Sequence, residues 1–105
     1  MKVKSSLCDN ETIITAELKG STISLSFEST CSKIKDYGAA LPSVNLKDII
    51  KGFVDNPIFM AGSSSHVTPD CLVPSATVLA CWAEAGFASK NLMVRSGPQC
   101  IILVK

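Results

Sequence analysis

Two runs of alternating side chains, joined by one glycine-containing turn, constrain this chain more than any other feature. Ile14, Ala16 and Leu18 alternate with Thr15, Glu17 and Lys19; Ile23, Leu25 and Phe27 alternate with Ser24, Ser26 and Glu28. A period of two turns one face of a strand to a core and the other to water. Lys19-Gly20-Ser21-Thr22 lies between the runs, and Gly20 can take the positive φ that opens a type II′ hairpin turn. With Gly20 and Ser21 as the loop, Leu18 faces Ile23, Ala16 faces Leu25 and Ile14 faces Phe27. Every pair on that face is then apolar, which fixes the register.

The same parity carries two cysteines. Cys8 falls on the face of Ile14, and Cys31 on the face of Leu25 and Phe27, provided that Asp9 and Asn10 introduce no bulge. A third, Cys71, precedes Leu72-Val73-Pro74-Ser75-Ala76. Pro74 suits the first position of a helix, because its missing N–H leaves no bond unmade there. That helix is expected from Pro74 to about Ala85, with Gly86 as its left-handed C′ residue. Cys71 then sits at a helix N-terminus, where the macrodipole favours thiolate over thiol. Cys8, Cys31 and Cys71 are therefore expected to converge near the base of the hairpin. The plainer reading is core filler, since cysteine is among the most buried residue types.

The remaining pattern is mixed. Thr30 is placed to cap a helix from Cys31 to about Ala40, ended by Leu41-Pro42. Asn45 is placed to cap a short helix, Leu46 to Lys51, and Asn56-Pro57 to open another, Ile58 to Ala61. Residues 62–70 form a polar loop. The helix after Pro74 is apolar almost all round, the mark of a central helix. Leu92 and Val94 are assigned to a strand, Ser96-Gly97-Pro98 to a turn, and Cys100 to Val104 to a second strand, apolar on both faces. The expected fold is a single α+β domain over residues 1–105. It has an N-terminal β-hairpin, three to four helices and one or two C-terminal strands in a mostly antiparallel sheet.

Composition excludes several classes. Apolar residues make up 47% and charged residues 18%, so the chain can fill a core and is not disordered. The net charge is +1 and the lysines are interleaved with acids; no basic footprint for nucleic acid exists. No run is long enough for a membrane span, and the first residues lack a signal-peptide core. A cytoplasmic location follows as an expectation, and disulfides are uncommon there. Five cysteines, an odd number, weaken a disulfide framework further and leave metal binding, redox work or filler.

Cys8, Cys31, Cys71 and His66 would supply a Cys₃His set for zinc, or three thiolates for an iron–sulfur cluster. No Cys-x-x-Cys pair supports either. His66, the only histidine, also stands five residues before Cys71, where it could act as a base for a nucleophilic thiol or as a plain loop residue. Glu84 is the lone acid on the apolar helix, a secondary candidate or a solvent-facing edge residue. Trp82, Phe87 and Met93 suit a core or an interface; Cys81 and Cys100 suit filler. No phosphate loop, paired-carboxylate motif or metalloprotease motif is present, so no reaction, substrate or small-molecule partner is indicated and an enzyme is not the favoured class. The alternative is a non-enzymatic interaction module. Ile101 to Val104, at a sheet edge, would invite a homodimer through the C-terminal strand.

Cys71-Leu72-Val73-Pro74-Ser75-Ala76, with the helix ending Glu84-Ala85-Gly86-Phe87-Ala88, resembles a small uncharacterised family of anaerobic bacteria and archaea, including methanogens. The resemblance covers roughly Cys8 to Val94 and matches Cys8, Cys31, Cys71, Pro74, Glu84 and Gly86. Leu72 stands where that family usually has proline, and the segment from Ser96 onward is additional. What the resemblance implies is a fold expectation and three cysteines to watch; it assigns no activity.

Overall fold

The structure, a computed structural model, describes residues 1–5 and 7–105. Among the described residues, four strands form one antiparallel sheet in chain order: β1 (Lys2–Lys4), β2 (Glu11–Lys19), β3 (Thr22–Ser29) and β4 (Ser43–Asn45). The central hairpin has the register that the alternation demands, with Leu18 opposite Ile23, Ala16 opposite Leu25 and Ile14 opposite Phe27. Gly20 has φ +64° and Ser21 does not share it, as a type II′ turn requires. Ile14, Ile23 and Leu25 are buried. Leu18, next to the turn, is 37% exposed.

Among the described residues there are four α-helices: α1 (Ser32–Ala40), α2 (Pro57–Ser64), α3 (Val73–Ala85) and α4 (Lys90–Ser96). α1 packs on β3, α3 packs on β2, and α2 lies against both helices. Tyr37 of α1 joins these layers. Its ring meets Phe27 edge-on at 5.3 Å, and its hydroxyl donates to the Ile58 carbonyl of α2 at 2.9 Å. Tyr37→Phe keeps the ring and leaves that buried carbonyl one partner short. It is expected to lower stability by about 1–2 kcal/mol, read from urea unfolding midpoints.

Two caps differ from expectation. Thr30 does not cap α1; its hydroxyl donates to Asn10 Oδ1 at 2.7 Å, and Cys31 takes the N-cap position without a side-chain bond. The helix expected from Leu46 to Lys51 shrinks to a 3₁₀ turn, Leu46–Asp48. Beyond that turn the chain is tied to the rest of the fold instead, the Ile49 carbonyl accepting from the Trp82 indole at 2.8 Å and the Lys51 carbonyl from the Asn56 amide at 3.2 Å. Asn56 does cap α2, accepting from Ile58 N at 2.9 Å. α2 then runs on to Ser64, so the polar loop begins later than expected. Gly86, at φ +83°, ends α3 in the left-handed conformation.

The C-terminal strands are not formed. Leu92 and Val94 lie in α4, where Ser89 Oγ caps Leu92 N at 3.1 Å. Lys90 Nζ also reaches Glu84 of α3 at 3.5 Å. Cys100 to Val104 has no regular secondary structure, and Ile101 to Val104 are 76–92% exposed. The sheet is already bounded by β1 and β4, and this segment pairs with neither. Without a ladder partner, its backbone N–H and C=O groups are left to water.

Candidate functional site

Three elements bring three sulfurs to one cavity. Cys31 closes β3 and starts α1, Cys71 precedes α3, and Cys8 lies in the turn between β1 and β2. All three line a cavity of about 240 Å³, together with Thr12, Val67 and Val73. Parity carries Cys31 inward as the alternation requires. It does not carry Cys8. Asp9 adopts φ +54° and donates its N–H to Ser5 O at 3.2 Å, so a turn replaces the continuous strand. Cys8 reaches the cavity from that turn.

The polar groups behind the cysteines are ordered. Thr12, a buried β2 residue, donates its hydroxyl to Ser29 Oγ at 2.8 Å. Ser29 Oγ in turn accepts from Cys31 N–H at 3.1 Å. The cross-strand pairing of Thr12 with Ser29 thus anchors the backbone of Cys31.

The two outer cysteines have opposite electrostatics. Cys8 is exposed, and its thiol is pulled below the ordinary value, chiefly by the Asn10 backbone N–H, with help from the Asn10 amide and the Ser5 hydroxyl. Hydrogen bonds to the thiolate favour it over the thiol. Cys71 is half-buried, and burial pushes its thiol up; the Val73 N–H opposes that shift, while the neighbouring Cys8, Cys31 and Asp70 add to it. The helix-entrance effect expected for Cys71 is present as the Val73 N–H but loses to desolvation.

Other candidates lie elsewhere. His66 is exposed, has φ +58° and does not line the cavity. Glu84 is half-buried and paired with Lys90. Among the described residues, no group of three or more His, Cys, Asp or Glu side chains is arranged to hold a metal ion. Cys100 is exposed. Cys81 is fully buried in the core, and burial pushes its thiol from 9.0 up to about 11. A raised thiol gives stability that is complete below the unfolded value and is lost as pH rises through the folded one. Unfolding midpoints are therefore expected to fall between pH 9 and 11, by a total of about 2–3 kcal/mol from this group. Cys81→Ala should flatten that fall.

The sequence pattern missed Ser5, Asn10 and Thr12 as parts of the site. The one available signal was Asp9-Asn10, a pair that tolerates tight turns and can interrupt a strand.

A family model described as a family of unknown function (DUF6951) matches residues 1–95. No curated protein and no solved structure matches the chain.

Proposed function

The chain belongs to DUF6951, a family without an assigned activity, so its chemistry has to be read from its own residues, and we propose that Cys8, Cys31 and Cys71 form a thiol–disulfide exchange site. The observation that carries this reading is that three cysteines from separate elements line one cavity. Their asymmetry gives each a role. Cys8, exposed and with its ionisation favoured by its neighbours, is the better attacker, and Cys71, half-buried and with its ionisation opposed by burial, is the resolving partner.

In the first step the Cys8 thiolate attacks one sulfur of a substrate disulfide, R–S–S–R′. A Cys8–S–S–R bond forms and R′–S⁻ leaves. In the second step the Cys71 thiol gives up its proton and attacks Cys8 Sγ. A Cys8–Cys71 disulfide forms, R–S⁻ leaves, and the departing thiolates take up protons. The substrate gains two electrons and the protein loses two. Cys31, on the same cavity wall, is the alternative resolving thiol. Reduced cysteines persist in the cytoplasm, the location that suits this chemistry.

Reduced protein, purified anaerobically, is mixed with excess oxidised glutathione, quenched with an alkylating agent and mapped by mass spectrometry. The expected product is a chain with one internal disulfide joining Cys8 to Cys71 or Cys31. Glutathione mixed disulfides at Cys8 that never resolve would overturn the reading. So would protein purified with a stoichiometric metal that blocks all three thiols from alkylation.

A further inference from the structure

We propose that the cavity at the three cysteines takes disulfides of small α-amino acids, with the carboxylate of one half held at Lys33 and its ammonium at Asp70. This rests on the thiol–disulfide reading and adds to it the class of substrate. Among the described residues, Lys33 and Asp70 are the two charged side chains that line the cavity. They come from different walls, Lys33 from the first turn of α1 and Asp70 from the chain just before Cys71. Both are exposed, and among the described residues neither takes part in an ion pair. One cation and one anion at the border of one thiol cavity match a head group that carries one charge of each sign.

The carboxylate has a second attraction. α1 is nine residues long, and no side-chain oxygen caps its start at Cys31. The first N–H groups of a helix have no partner within it, and they favour a negative group. Ser32 and Lys33, which carry two of them, line the cavity.

Size limits what can enter. The cavity holds about 240 Å³. A cavity of about 150 Å³ takes up one benzene, and pockets for drug-sized ligands hold about 300–1,000 Å³. The space suits one cysteine-sized half of a disulfide, not a peptide. Val3, Ile34 and Val73 give it a buried apolar lining for the sulfur and methylene of that half. A longer disulfide still reaches exposed Cys8, but without filling the cavity.

Cystine is the probe. The Cys8 thiolate attacks one of its sulfurs, a mixed disulfide between Cys8 and cysteine forms, and the other cysteine leaves as its thiolate. Cys71 then gives up its proton and attacks Cys8 Sγ, and the second cysteine leaves. Cystine gains two electrons and the protein loses two.

The test uses the reduced full chain carrying Cys100→Ser, kept anaerobic, and four small disulfides: cystine with both charges, cationic cystamine, anionic dithiodiglycolate and neutral hydroxyethyl disulfide. The rate of mixed-disulfide formation on Cys8 is divided by the rate of the same disulfide with mercaptoethanol, which removes its intrinsic reactivity. Cystine should then exceed each of the other three by at least about tenfold. Lys33→Gln and Asp70→Asn should each lower the ratio of cystine to hydroxyethyl disulfide by at least about fivefold; taking the ratio cancels any effect of the substitution on Cys8 itself. Lys33→Gln should also disfavour dithiodiglycolate relative to cystamine, and Asp70→Asn the reverse. Four normalised rates that agree, a preference for one of the singly charged disulfides over cystine, or a cystine preference that both substitutions leave intact would overturn the proposal, while an internal disulfide from Cys8 to Cys71 or Cys31 would still uphold the thiol reading. Failure of all four disulfides to produce that internal disulfide would overturn the thiol reading and this inference with it.

Discussion

Cys8→Ser is expected to slow the first thiol–disulfide exchange step at pH 7 by at least about tenfold. The change removes the cavity thiol whose ionisation the surrounding donors favour. Cys71 is the poorer attacker, because burial opposes its ionisation. The comparison is best made in a Cys100→Ser background, since Cys100 is exposed and would react on its own. Cys71→Ser should behave differently. It leaves the first step intact and traps the mixed disulfide on Cys8, unless Cys31 resolves it. The pH profile gives an independent check. Alkylation of Cys8 should reach half its maximal rate below the ordinary thiol value of 9.0. Replacing Ser5 and Asn10 by alanine removes two of the side-chain donors and should move that midpoint back toward it. A Cys8 that reacts no faster than Cys71 at pH 7 would sink the assigned roles.

Asn56→Ala is expected to be among the most destabilising single changes to the fold, at about 2–4 kcal/mol. The side chain is almost completely buried and makes two bonds of opposite sense. Its carbonyl oxygen accepts from Ile58 N at 2.9 Å, and its amide donates to Lys51 O at 3.2 Å. Alanine leaves a donor and an acceptor without those partners. Asp is the informative comparison. It keeps the cap on α2 but can no longer donate to Lys51 O, and it adds a buried charge. Guanidinium unfolding of the three proteins checks the order, with wild type the most stable. An Asn56→Ala protein within 0.5 kcal/mol of wild type would mean that solvent reaches these groups, contrary to the burial found.

The hairpin was legible because its signal is strong and local. Ile14 to Leu18 and Ile23 to Phe27 alternate without a fault, and Gly20 allows one turn between them. The helix from Pro74 to Gly86 was legible for similar reasons; it gains only Val73 at its start. β1 and β4 were not legible, because three residues are too few to show a period. The segment from Lys90 to Ser96 misled for a different reason. Leu92-Met93-Val94 is a short apolar run, which periodicity cannot assign to strand or helix; the Ser89 cap and the Glu84–Lys90 pair decide it. For the candidate site, the cysteines were readable but their environment was not. Cys8 arrives at the cavity through a turn at Asp9, not through strand parity. Whether desolvation or the helix entrance governs Cys71 depends on neighbours distant in sequence.

Both outer strands of the sheet are three residues long. Edge strands are where one protein's backbone can recruit another's into fibres. Here β1 presents Lys2 and Lys4 on its exposed face, each close to Glu11, and β4 is flanked by Pro42 and a 3₁₀ turn. β1 faces only Glu11 to Ile13 of β2, and β4 only Thr22 to Ser24 of β3. Among the described residues, no strand lies beside the outer edge of β2 from Thr15 to Lys19, so that stretch, and not the short borders, is the native ladder open to an incoming chain. Glu17 and Lys19 put charge on it, which discourages such pairing.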